Sequence, residues 1–166
     1  PLIKEINNKN KNINFLITTV TFSSSKLLEK KFKQRDNIIH RFFPLDLEIL
    51  AENFLKAWSP NLVCFVDSEI WPNFLFKIKE KNIPLLLINA RLTKKSYKKW
   101  GMVMKFAKKV FNNFDLCLTA SEESKNNLNM LQVKNLKHIG NLKYSVQNMP
   151  GEIKESNRKI LDNYKT

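Results

Sequence analysis

Six short, β-prone apolar runs recur along this chain, and segments with helical spacing lie between them. That alternation constrains the fold more than any other feature. The runs cover residues 15–20, 38–42, 62–66, 84–88, 116–119 and 137–139. Strands interleaved with helices of about ten or more residues imply βαβ units and a parallel sheet. The fold class expected is therefore α/β. The run at 84–88 is continuously apolar, as a strand buried on both faces is. Asp46 reads as the N-cap of a helix that carries Leu47, Leu50, Ala51, Phe54, Leu55 and Trp58 on one face. Ser121 reads as the cap of a helix with Glu122 and Glu123 in its first turn.

A length of 166 residues with 43% apolar content suits one domain with a real core. The net charge of +14 favours an anionic partner without choosing among nucleic acid, phosphorylated ligand and acidic membrane. Cys64 and Cys117 each sit inside an apolar run and read as reduced core residues of a cytoplasmic protein. No apolar stretch approaches the ~20 residues of a spanning helix. The chain begins at Pro1, within a helix-like segment, and is expected to be a piece of a longer protein.

Three glycines leave no room for a Gly-x-Gly-x-x-Gly turn or a P-loop. His40 and His138 have no partner at ligand spacing, so no metal site is expected. Chemistry must come from carboxylates, hydroxyls and cations at strand ends, where parallel α/β sheets bind ligands. Thr18, Thr19, Thr21 and Ser23–Ser25 follow the first run, while Asp67, Ser68 and Glu69 follow the third. Asn89 and Arg91 follow the fourth, and Asn141 and Lys143 the last. On position alone two readings of Asp67-Ser68-Glu69 stand. Either Ser68 caps the next helix and the acids offset its dipole, contributing about 1 kcal/mol or less each, or the carboxylates form a site. The Ser/Thr run fits helix caps and turns better than a site. Arg91, directly after a buried strand, must find an anion.

The periodicity predicts one long helix over residues 94–112. On its wheel Trp100, Val103, Met104, Ala107, Val110 and Phe111 share one half, with Lys94, Lys95, Lys98, Lys99, Lys105, Lys108 and Lys109 on the other. Phe106 falls among the lysines. Seven lysines without one acid, plus a stray aromatic, fit either a solvated face or an anionic lipid surface.

Several of these residues together resemble a known family. Ser68-Glu69-Ile70-Trp71-Pro72-Asn73, then Ile83-Pro84-Leu85 and Asn89-Ala90-Arg91-Leu92, are similar to the N-terminal domain of 3-deoxy-D-manno-octulosonic acid (Kdo) transferases. Thr18-Thr19-Val20-Thr21, Pro44-Leu45-Asp46 and Gly140-Asn141-Leu142-Lys143-Tyr144 match in the same order and spacing. The resemblance implies the N-terminal half of a GT-B glycosyltransferase, a Rossmann-like domain over residues 1–148, with a polar terminal helix or linker over 149–166 toward a C-terminal domain. It implies transfer of Kdo from CMP-Kdo, with inversion, to a lipid A precursor at the cytoplasmic face of the bacterial inner membrane. No cofactor is implied, and CMP-Kdo would bind the C-terminal domain.

Carried over by position, Glu69 would organise the reacting groups, and Lys143 would stabilise negative charge on the leaving CMP or the sugar carboxylate. Arg91 would hold the site or a phosphate, with Thr18, Thr19 and Asn141 also on the substrate side. Lys94, Lys95, Lys98, Lys105, Phe106 and Lys109 would meet the membrane. The family's catalytic base, a glutamate in Ser-Val-Gly-Glu, would precede Pro1, and with it the first, central strand. The chain alone is therefore expected to transfer nothing. The loop Phe22-Ser23-Ser24-Ser25 departs from the family's common Pro-Thr-Gly-Ser. The alternatives are another GT-B glycosyltransferase and, further off, a basic nucleic-acid-binding module, which lacks a recognition element.

Overall fold

The computed structural model describes residues 2–32 and 35–142. Helix α1 (Leu2–Lys9) leads into β1 (Phe15–Thr19), α2 (Phe22–Phe32) and β2 (Ile38–Phe42). Helix α3 (Glu48–Trp58), β3 (Val63–Val66), α4 (Pro72–Glu80) and β4 (Leu85–Ala90) follow. Helices α5 (Lys94–Gly101) and α6 (Met104–Phe111) then precede β5 (Leu116–Thr119), α7 (Glu122–Met130) and β6 (Leu136–His138). All pairings are parallel, as the alternation requires. The strands form two sheets, β1-β2 and β3-β4-β5-β6. Among the described residues β1 and β3 are not paired with each other. The terminal helix expected over 149–166 lies outside the described residues.

The core lies on one face of the larger sheet. Leu85, Leu87, Phe65 and Cys117 from the strands are buried with Phe74, Leu75 and Ile78 of α4, Val110 and Phe111 of α6, and Leu128 of α7. Each such side chain contributes roughly 1.5–3 kcal/mol by leaving water. Burial also pushes the Cys117 thiol up to about 12, so it stays protonated. Cys64 does not share this setting. It is exposed, because alternate residues of a strand face opposite ways and only the Phe65 face of β3 is covered by described helices. Asp115 clamps the start of the sheet by accepting from the Leu85 N–H at 2.8 Å and from Lys79 Nζ at 2.9 Å. The Lys79 bond, then the Leu85 bond, hold its carboxyl below the ordinary range. This contribution is complete above about pH 4 and fades as pH falls through the depressed value.

Three further sequence expectations are corrected. Asp46 does not cap α3, whose N-cap residue is Leu47 with no side-chain cap bond. The Leu47 N–H turns back to the Leu45 carbonyl, and Asp46 instead accepts from the Asn73 and Phe74 N–H groups at 3.2 and 3.1 Å. It thus caps α4, which has Pro72 at its first turn and no acceptor on its own N-cap residue, Trp71. Ser68 caps nothing; its hydroxyl donates to the Arg91 carbonyl at 3.0 Å. Ser121 does cap α7, accepting from Ser124 N–H.

The long helix is also broken. Regular helix ends at Gly101 and resumes at Met104; Met102 keeps helical dihedrals, and the chain departs from them at Val103, with φ −123° and ψ 45°. Gly101 costs about 1 kcal/mol in a helix interior, and clustered lysines add like-charge repulsion. The break shifts the helical phase. Val103, expected inside, is 50% exposed, and Met102 stands 80% exposed at the turn. Phe106 is 44% exposed, yet it stacks on Trp100 and meets Phe76 edge-on.

Asp46→Ala is expected to lower unfolding free energy by about 1–2 kcal/mol in urea denaturation, because two α4 donors lose their partner. A change within about 0.3 kcal/mol would show that the cap bonds contribute nothing.

Candidate functional site

The carboxyl ends of β3 and β4 lie side by side, since Val66 pairs with Ile88. Both strands leave the sheet through a left-handed residue, Asp67 at φ 60° and Asn89 at φ 57°. Asp and Asn tolerate this conformation better than most side chains. At Asn89 the ladder to β5 carries one extra residue: Leu87 opposes Cys117 and Ala90 opposes Thr119, three steps against two. This bulge turns the strand end and brings Arg91 over β3. The Arg91 N–H bonds the Asp67 carbonyl at 3.3 Å, and Arg91 Nε stands 3.4 Å from Asp67 Oδ1. Nε itself is buried and makes no hydrogen bond among the described residues. The Asp67–Arg91 pair is over a third exposed on each side, so its worth is about 1 kcal/mol or less.

Glu69 is exposed just beyond this pair. Its Oε2 accepts from Trp71 Nε1 at 3.0 Å. Trp71 is itself packed on Phe43, with ring centroids 5.3 Å apart. One carboxylate oxygen is thereby tethered to the core through the indole, and the other is left toward solvent. Such a group can orient a hydroxyl or accept its hydrogen bond. A cavity of about 180 Å³ opens beside it, lined in part by Asp67, Ser68, Arg91, Ser96 and Trp100. That is below the ~300–1,000 Å³ usual for a small-molecule site.

The other sequence candidates are dispersed. Thr18 and Thr19 end β1 on the separate two-stranded sheet, and the Thr19 hydroxyl is engaged with His40 Nε2 at 2.9 Å. Asn141 is half-buried in the segment that follows β6. Lys143 lies outside the described residues. Lys94, Lys95 and Lys98 are exposed on α5, and Lys105 and Lys109 on α6. Among the described residues none of these five pairs with a carboxylate; Lys109 Nζ sits 5.3 Å from the Phe76 ring centre. No group of three or more His, Cys, Asp or Glu among the described residues could hold a metal ion. No described helix is long and apolar enough to cross a membrane.

Sequence reasoning misses two features of the region. Met102 and Val103 form an exposed apolar turn between the lysine-bearing helices, and Gly101 is the one local signal of it. Asn89 is legible only as a polar strand-end residue, since its bulge depends on the register with β5. Asp67→Ala is expected to cost about 2 kcal/mol in chemical denaturation, as it removes the ion pair, a hydrogen-bond acceptor and a side chain that tolerates φ 60°. Asp67→Asn, which keeps the last two, should cost less than half as much. Equal losses would assign the whole effect to charge.

Residues 1–146 match the family model described as 3-deoxy-D-manno-octulosonic-acid transferase (kdotransferase). The chain is 34% identical over 149 residues to the 3-deoxy-D-manno-octulosonic acid transferase of Rickettsia felis, covering 90% of this chain and 32% of that protein. It is 25% identical over 148 residues to the transferase of the same name from Haemophilus influenzae, covering 88% of this chain and 34% of that one. A probable mitochondrial 3-deoxy-D-manno-octulosonic acid transferase of Arabidopsis thaliana is 33% identical over 101 residues, covering 61% of this chain and 22% of that protein. The chain spans about a third of the length of the curated bacterial relatives named here. Because the match runs through the strand ends that carry Glu69 and Arg91, and through nearly all of the rest, this chain belongs to the Kdo transferase family.

Proposed function

We propose that the protein carrying this chain transfers Kdo from CMP-Kdo to a lipid A precursor, and that this chain is the acceptor-side half of a GT-B enzyme. The observation that carries the reading is the Glu69 carboxylate, tethered through Trp71 at the carboxyl end of β3, beside Asp67 and Arg91. Family membership supplies the reaction, and the strand-end geometry is where a parallel α/β sheet presents a ligand.

In the proposed step the acceptor hydroxyl oxygen attacks the anomeric carbon of Kdo as the bond to the CMP phosphate breaks, which inverts the centre. The electron pair leaves on CMP, and the hydroxyl proton passes to a base that the resemblance assigns to residues preceding Pro1. Glu69 orients the reacting groups through its free oxygen. Lys143 stabilises charge on the leaving phosphate or the sugar carboxylate. Arg91, with its planar fork, holds a phosphate of the acceptor. Thr18, Thr19 and Asn141 complete the acceptor side. The same reading assigns a central strand between β1 and β3, which do not pair with each other among the described residues.

The proposed site of action is the cytoplasmic face of the inner membrane. Exposed, unpaired lysines on α5 and α6 support contact with anionic lipid, and so does the apolar Met102–Val103 turn between them. In the full-length enzyme, Glu69→Gln is expected to lower kcat for CMP release in the presence of lipid A precursor by about 10²-fold or more. Full activity in that variant would remove Glu69 from the site. The double reversal Lys98→Glu with Lys105→Glu is expected to weaken sedimentation with phosphatidylglycerol vesicles at least tenfold. Binding of the wild type that ignores lipid charge would overturn the membrane assignment.

A further inference from the structure

The amide of Asn89 makes two bonds that no motif announces. Its Nδ2 donates to Asp67 Oδ1, and its Oδ1 accepts from the Leu142 N–H at 3.1 Å. The first bond ties β4 to the end of β3. The second reaches across 53 residues of sequence to the segment after β6. The residue is 2% exposed, so neither bond competes freely with water. Rotating the amide by half a turn would set Nδ2 against the Leu142 N–H, donor against donor, so the network admits one orientation.

The backbone at Asn89 serves the same end. Its φ of 57° sits in the bulge that adds one residue to β4, and the side chain therefore turns along the sheet edge instead of into a sheet face. Gly140, at φ 78°, makes the complementary turn and brings the Leu142 amide back to the edge. A side chain at Gly140 would be strained there whatever the space around it.

We infer that Asn89 is a positioning residue: it latches the Gly140–Leu142 segment to the Asp67–Arg91 corner. The latch also sets the corner, because the same Asp67 oxygen that accepts from Asn89 faces Arg91 Nε. One buried amide connects the carboxylate, the guanidinium and the segment after β6. The catalytic consequence rests on the proposed Kdo-transfer reading, whereas the latch itself does not.

The test uses the full-length enzyme and two variants, with one readout for the latch and one for catalysis. Asn89→Gly permits the left-handed backbone but removes both side-chain bonds. It is expected to keep the native circular dichroism spectrum, to speed hydrogen exchange at the Leu142 amide at least tenfold, and to lower kcat at least tenfold while the KM for CMP-Kdo stays within about twofold. The exchanged pair Asn89→Asp with Asp67→Asn restores a donor at 67 and an acceptor at 89. It is expected to bring Leu142 exchange back to within about threefold of the wild type, which also covers the case in which the glycine variant fails to fold. Unchanged exchange in Asn89→Gly would overturn the latch. Faster exchange with unchanged kcat would overturn the positioning role. Faster exchange in an enzyme whose wild type transfers no Kdo would uphold the latch and overturn only the proposed reaction.

Discussion

The joint between the two sheets is the constraint on which the site depends. Among the described residues β1-β2 and β3-β6 share no ladder, and side chains join the two sheets. Asp46 supplies the polar part by capping α4 from the loop after β2, and the Asn73 amide returns a bond to the Asp46 carbonyl at 2.6 Å. Phe43 supplies the apolar part, with its ring within 4.5–6.3 Å of Phe74, Trp71, Phe65 and Phe54. Glu69 is tethered to Trp71, one residue before α4. The carboxylate is therefore positioned by a cap that lies in the other half of the molecule.

Polar groups at the strand ends form a connected set. Asp67 faces Arg91, Asn89 bonds Asp67, and Ser68 donates to the Arg91 carbonyl. Buried or half-buried polar groups are costly unless partnered, and here each partner comes from a different strand end. The exception is Arg91 Nε, buried with a charge partner but no hydrogen bond. Arg91 and Asp67 together line the cavity of about 180 Å³. The exposed lysines of α5 and α6 add to the positive field of the chain.

Much of this was legible from residues in order. Strand positions 38–42 and 116–119 match the runs read from sequence, because short apolar runs between helical segments have little other use in a chain of this periodicity. Ser121 and Glu122 marked the start of α7 because capping is a local event. Asp46 looked equally local and was not: the turn at Leu45–Leu47 aimed it at another helix. The 94–112 segment misled for a related reason. Helical periodicity does not report a two-residue break, and Gly101 was its one clue.

The sequence by itself determined the α/β class, the parallel order and the family, because these follow from periodicity and from motifs read within short windows. It also singled out Glu69 and Arg91, whose neighbours in the chain carry the resemblance. Only the tertiary structure decided which polar groups meet. The Glu69–Trp71 tether, the remote cap from Asp46 and the Asn89 latch to Leu142 depend on register, a bulge and left-handed strand exits. Those arise when strands distant in sequence pair, and no local window contains both partners.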